Sequence, residues 1–220
     1  MKRGKTYGVP AFPSDTPTKK RKKNAEDSLA PERDRPFRRR CRRYRGPPRG
    51  YRPAVVPVIW DGKKMYETFK AQGAGFSYPG PADRPVAYVA IDPQCPDCMK
   101  FTENVKPLLS KVNVIFFPIA FLNINSEPQG STILASKEPW KKYDEQHEHF
   151  RDPEFRGIRY DLAKLPDDLR NKVWTNTKLH RRAGCRAVPY GVFKNSKGEY
   201  KPFDENLSTE ELAALFEVKL

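Results

Sequence analysis

Cysteine is scarce in this chain: there are four in 220 residues. So few argue against a disulfide-stapled scaffold. Only Cys95 and Cys98 lie close together, and no second C-x-x-C or Cys/His knuckle accompanies them. A four-ligand zinc site is therefore not expected, and no metal ligand is assigned. Histidine is scarcer still, at three. His147 and His149 stand at i and i+2, which point to different sides of a helix and chelate poorly. A solvated helix face is the expectation for them. Long apolar runs are absent, so no transmembrane segment is expected. The first residues, Met1-Lys2-Arg3-Gly4-Lys5, carry charge without the apolar core of a secretory leader. As written, the chain is expected to stay in the cytoplasm.

What is abundant is positive charge, and it is unevenly placed. Of a formal net charge of +15, residues 1–53 supply 18 Lys+Arg against 5 Asp+Glu, leaving 24 against 22 for residues 54–220. The first segment holds eight prolines and the runs Lys19-Lys20-Arg21-Lys22-Lys23 and Arg38-Arg39-Arg40-Cys41-Arg42-Arg43. Such a composition buries too little surface to offset chain entropy, which predicts a disordered basic arm. Three partners suit it: nucleic acid through phosphate contacts, an anionic membrane surface, or an acidic protein. A solubilising tail or linker is the plainer reading, and an assembly or binding module tethered by the arm to an acidic surface is the alternative reading of the whole chain. Cys41, within an arginine-rich run, is expected to be exposed and easily oxidised.

The strongest chemical signal is Cys95-Pro96-Asp97-Cys98. It follows Val86 to Ile91, an apolar run that reads as a buried strand, and precedes Met99 to Val112, which has helical spacing. Strand, C-x-x-C, helix is the context in which the motif means thiol–disulfide chemistry. A cysteine at a helix N-terminus faces unpaired N–H groups and the positive end of the dipole, both of which stabilise a thiolate. Thiolate is the nucleophile in exchange. Asp97, beside Cys95, acts the other way, since a neighbouring carboxylate opposes thiolate formation. That predicts a less oxidising pair. The redox-active disulfide itself needs no cofactor.

Around the motif, residues 54–82 read as a linker with a short strand at 55–60 and a helix from Lys63 to Ala71, stopped by Gly73 and Gly75. Residues 83–220 read as one α/β domain. Pro107 predicts a kink in the helix after the motif. Val114 to Phe117 reads as a second, parallel strand, completing βαβ. Residues 127–183 read as a helical insertion. Within it Trp140, Tyr143, His147 and Phe150 share one face, and a later helix starts at Pro166 with apolar Leu169, Val173 and Leu179 and stops at Gly184. Ala187 to Phe193 and Glu199 to Phe203 form a hairpin about Asn195-Ser196-Lys197-Gly198. Ser208 and Glu211 form a capping box for a last helix, with Leu207 and Leu212 as its staple. Cys185 reads as a small buried hydrophobe, with a third redox thiol as the alternative.

This order is thioredoxin-like, and Val188-Pro189, opening the third strand, stands where that fold carries a cis-proline loop. Residues 86–218 resemble the catalytic domain of the DsbC/DsbG family of bacterial periplasmic disulfide isomerases, the DsbG branch more closely. Three stretches carry the resemblance: Asp92 to Phe101, Ile133 to Trp140 and Gly184 to Val192. It implies that Cys95 attacks, that Cys98 resolves, and that Val188 and Pro189 present backbone to a substrate chain, with Pro96 and Asp97 modulating the pair. It implies protein thiols or disulfides as substrates, a redox partner protein, and a periplasmic location. The sequence differs from that family in holding a basic arm where it has a dimerisation domain, Asp97 where it often has an aromatic, and Val188 where it usually has threonine. A monomer or weak associator is therefore expected.

Overall fold

The computed structural model describes residues 59–220. The basic arm, Cys41 and most of the strand expected at 55–60 lie outside the described residues.

Among the described residues six α-helices and five strands follow one another as α1 (Gly62–Gln72), β1 (Phe76–Ser77), β2 (Val86–Ile91), α2 (Pro96–Val105), β3 (Asn113–Pro118), α3 (Ser126–Ala135), α4 (Pro139–Glu148), α5 (Asp167–Arg182), β4 (Tyr190–Lys194), β5 (Tyr200–Phe203) and α6 (Thr209–Leu215). The sheet order is β1-β3-β2-β4-β5. β2 and β3 are parallel, from Val86 opposite Asn113 to Ile91 opposite Pro118, and every other pair is antiparallel. This is the thioredoxin-like order with a short extra strand, β1, on the β3 edge. The two residues of β1 were not expected as a strand, being too few to show alternation.

Side chains alternate along β2, and this period fills both faces of the sheet. Ala87, Val89 and Ile91 join one apolar cluster with α2, α4 and α6. Tyr88 and Ala90 join a second with α1 and α5. Met65 and Phe69 of α1 are fully buried in that second cluster. The expected linker at 54–82 is thus corrected from Trp60 onward. This stretch is part of the domain, because its two large apolar side chains have the sheet to cover them.

Pro107 does not kink a long helix. It sits in a 3-10 turn, Lys106–Leu108, that ends α2 early. Proline lacks the N–H that another α-helical turn needs. The insertion is less helical than expected, since 149–166 has only the 3-10 turn Leu162–Lys164. Gly157 there adopts φ +106°, and a Cβ on it would run into the Gln146 amide. Gly184 ends α5 with φ +87°, as its place in the sequence predicts. The capping box forms, with Ser208 Oγ accepting from Glu211 N and Glu211 accepting from Ser208 N. α3 and α5 are joined by a bidentate pair, Arg170 Nε and Nη2 each 3.0 Å from a Glu127 carboxylate oxygen. Among the described residues no helix is long and apolar enough to cross a membrane.

Candidate active site

Cys95 is the N-cap of α2, with extended backbone at φ −97° and ψ 116°, and Pro96 occupies the first helical position. Proline suits that place, where its missing N–H costs nothing. The Cys95 thiol sulfur accepts the Cys98 backbone N–H at 3.3 Å. The Cys98 sulfur accepts the Asp92 N–H at 3.4 Å. Both cysteines are free thiols, and Cys95 keeps 3% of its surface exposed while Cys98 keeps none.

The two thiols differ in acidity. Cys95 is held below the ordinary thiol range, first by a hydrogen bond from the Cys98 thiol, against the cost of burial, with backbone N–H groups of Cys98 and Asp97 adding to it. Cys98 is pushed well above that range, mainly by burial and then by Cys95. Asp97 is exposed. It opposes the Cys95 thiolate as expected, but it is the smallest of these influences. The Cys98 thiol and the helix N–H groups lie against the sulfur, while the carboxylate faces water.

The Val188–Pro189 peptide bond is cis, and Pro189 is buried. The Cys95 thiol donates to the Val188 carbonyl at 3.3 Å. The structure thus brings together Cys95, Cys98, Val188 and Pro189 from two segments some ninety residues apart, with Pro96 and Asp97 exposed on the first turn of α2. Cys185 stands apart from them. It is buried against Met65, Sγ to Sδ 3.7 Å, and burial raises it to about 12. Of the two histidines, His147 packs edge-on against Tyr143, whereas His149 pairs with Asp152 at 2.9 Å.

Several residues that build the site give little signal in the sequence. Asp92 is fully buried. One carboxylate oxygen accepts from Gln94 N at 2.8 Å, and the other from Phe121 N and Leu122 N at 2.8 and 2.9 Å. It pins the loop after β3 to the cysteine turn. Three buried glutamines, Gln94, Gln129 and Gln146, join that turn to α3 and α4. Gln94 Nε2 donates to Gln129 Oε1 at 2.6 Å, and Gln146 Nε2 donates to the Pro93 carbonyl at 2.6 Å. Gln146 Oε1 accepts from Ile158 N at 2.8 Å, and Gln129 Nε2 donates to the Arg156 carbonyl at 2.8 Å. Tyr143, buried in α4, donates to Thr102, whose own hydroxyl donates to the Cys98 carbonyl at 2.9 Å. A cleft of about 290 Å³ beside Pro96 is lined by Met99, Lys100, Glu103, His147, Phe150 and Arg151.

No family model matches the chain. It is 30% identical over 139 residues to the thiol:disulfide interchange protein DsbG of Pseudomonas aeruginosa, a match covering 62% of this chain and 52% of that one. The chain thus spans about half the length of that curated relative. Among solved structures, the catalytic domain of Proteus mirabilis ScsC superposes with a TM-score of 0.55 at 19% identity, covering 71% of this chain and 97% of that one. Pseudomonas aeruginosa DsbA2 superposes with a TM-score of 0.51 at 16% identity, covering 64% and 92%. The fold is thioredoxin-like, with a helical insertion between the βαβ unit and the strand that follows Pro189. In sequence the chain resembles the thiol:disulfide interchange protein DsbG.

Proposed function

We propose that this chain is a thiol:disulfide oxidoreductase of the reductase or isomerase type, acting on protein disulfides through Cys95 and Cys98. The observation that carries the reading is the asymmetry of the pair. One thiol is lowered at a helix N-cap beside the carbonyl of Val188, and the other is raised and fully buried. That division suits an attacking and a resolving cysteine.

In the proposed cycle the Cys95 thiolate attacks one sulfur of a substrate disulfide. The substrate S–S bond breaks, a mixed disulfide forms, and the departing thiolate takes up a proton. Cys98 then gives up its proton and attacks Cys95 Sγ. The Cys95–Cys98 disulfide forms and the second substrate thiol leaves. Two electrons have passed to the substrate, and a redox partner protein returns them. The backbone of Val188 offers pairing groups to an extended substrate strand, and the cleft beside Pro96 lies where a neighbouring side chain can settle.

Cys95→Ser is expected to abolish reduction of a disulfide-bonded test protein, and retained activity overturns the assignment. Equilibration with dithiothreitol or glutathione, read by alkylation and mass, tests the direction. A potential near thioredoxin's roughly −270 mV supports the reducing type, while one near roughly −120 mV overturns it.

A further inference from the structure

The buried face of α5 is not wholly apolar: beside Val173 and Leu179 it carries three polar side chains. Asn176, Thr177 and His180 are each buried on it, and each is spent on the backbone of another segment. Asn176 Oδ1 accepts from Ala74 N at 2.9 Å, and its Nδ2 donates to the carbonyls of Ala74 and Pro118 at 2.8 and 3.0 Å. Thr177 Oγ1 accepts from Ala120 N at 2.9 Å. His180 Nε2 lies 2.9 Å from the carbonyl oxygen of Ala187. That oxygen can only accept, so Nε2 carries the proton and Nδ1 is bare.

Nδ1 is buried with no hydrogen-bond partner. The ring stands edge-on to Phe121, centroids 6.1 Å apart. Burial lowers its pKa to about 4, against the bond to Ala187 and with the neighbouring Arg181 guanidinium adding to the fall. The neutral ring with its single donor is thus the state the fold keeps. Leaving one imidazole nitrogen buried and unpaired is costly. A core helix gains from it only if the other nitrogen does something a hydrocarbon cannot.

What that nitrogen holds is the residue before Val188. The carbonyl of Ala187 bonds to His180, and the next carbonyl along the chain, that of Val188, accepts the Cys95 thiol. We propose that His180 is a positioning residue, which sets the Val188 carbonyl against Cys95 by anchoring Ala187. The inference rests on the oxidoreductase reading for its functional meaning, though not for its geometry.

Two consequences follow. Only the protonated thiol can donate to the Val188 carbonyl, so releasing that carbonyl favours the thiolate. An extended substrate that pairs with the same backbone also loses its register, whereas a small disulfide does not need it.

The test uses the full chain, reduced, as wild type, His180→Leu and His180→Gln. Glutamine keeps a donor near Nε2, and leucine removes it. Alkylation of Cys95 by iodoacetamide, followed in its own peptide by mass spectrometry across pH, is expected to shift its midpoint down by about half a unit in His180→Leu. That is a roughly threefold gain in thiolate below the midpoint. Exchange with a disulfide-linked extended peptide is expected to slow about tenfold, the worth of one strong ordinary hydrogen bond. Exchange with dithionitrobenzoate should stay within about twofold, and His180→Gln should restore the peptide rate to within about threefold. If His180→Leu matches wild type in both the midpoint and the peptide rate, the proposal is overturned, whatever happens to its melting temperature. If wild type reacts with neither disulfide, the oxidoreductase reading fails while the alkylation midpoint still decides the role of His180. His180→Met carries the same test should the leucine variant not fold.

Discussion

The two faces of the sheet are filled by different means. On the face that carries the cysteines, α2, α4 and α6 press an aromatic cluster against the strands. Phe101 stacks on Phe203 with centroids 5.6 Å apart, and Phe76 stacks on Phe116 at 5.5 Å. On the other face α1 supplies Met65 and Phe69 and α5 supplies Val173 and Leu179, but α5 also bonds to the backbone of other segments through Asn176, Thr177 and His180. The first face is held by area removed from water, which tolerates small slides. The second adds to its own apolar cluster directed bonds to single backbone atoms, which do not. The loops after β3 and before Pro189 are both gripped from this second face, the first of them by Asp92 as well.

The largest effect expected on this comparison is on the aromatic face. Phe101→Ala should cost about 3–5 kcal/mol in urea unfolding, as truncation of a fully buried ring does. A loss below about 1 kcal/mol would mean that the cluster is not what holds that face. Next comes Asn176→Leu, nearly the same size but unable to bond. It strands the Ala74 N–H and two carbonyls and should cost roughly 2–3 kcal/mol. A neutral or stabilising result would erase the distinction between the faces. The smallest effect is on pH dependence. His180 is neutral in the fold, at about 4 instead of the ordinary 6.5. Its contribution is therefore complete above pH 6.5 and lost as pH falls toward 4. The slope from this one proton is at most about 1.4 kcal/mol per pH unit. Urea midpoints of wild type should fall more steeply over that window than those of His180→Gln, and parallel curves would show that the ring protonates freely in place.

The same contrast explains what could be read before any coordinates. The apolar runs at Val86 to Ile91 and Val114 to Phe117 and the Ser208–Glu211 box are local signals, and each produced its element. The cysteine turn was legible for the same reason, since its helix N-terminus is built from adjacent residues. The polar face of α5 was not legible. Asn176, Thr177 and His180 carry no local signal, because their partners lie up to 102 residues away. The three glutamines were hidden likewise, and so was the irregular path of 149–166, which follows from Gly157 and from the bonds that Gln129 and Gln146 make to it. For Asp97 the direction was legible but its rank among the influences on Cys95 was not: sequence shows which charges are neighbours but not which of them face water.

Those glutamines also fix what can be cut away. In the chain the helical insertion interrupts a smaller sheet-and-helix body, and it looks removable. Excising it would leave the Pro93 carbonyl and the Gln94 side chain, one residue from Cys95, without the amides that now satisfy them. The insertion is sequentially an addition and structurally a wall of the cysteine turn, so a minimal domain made by deletion would begin with its reactive loop unsupported.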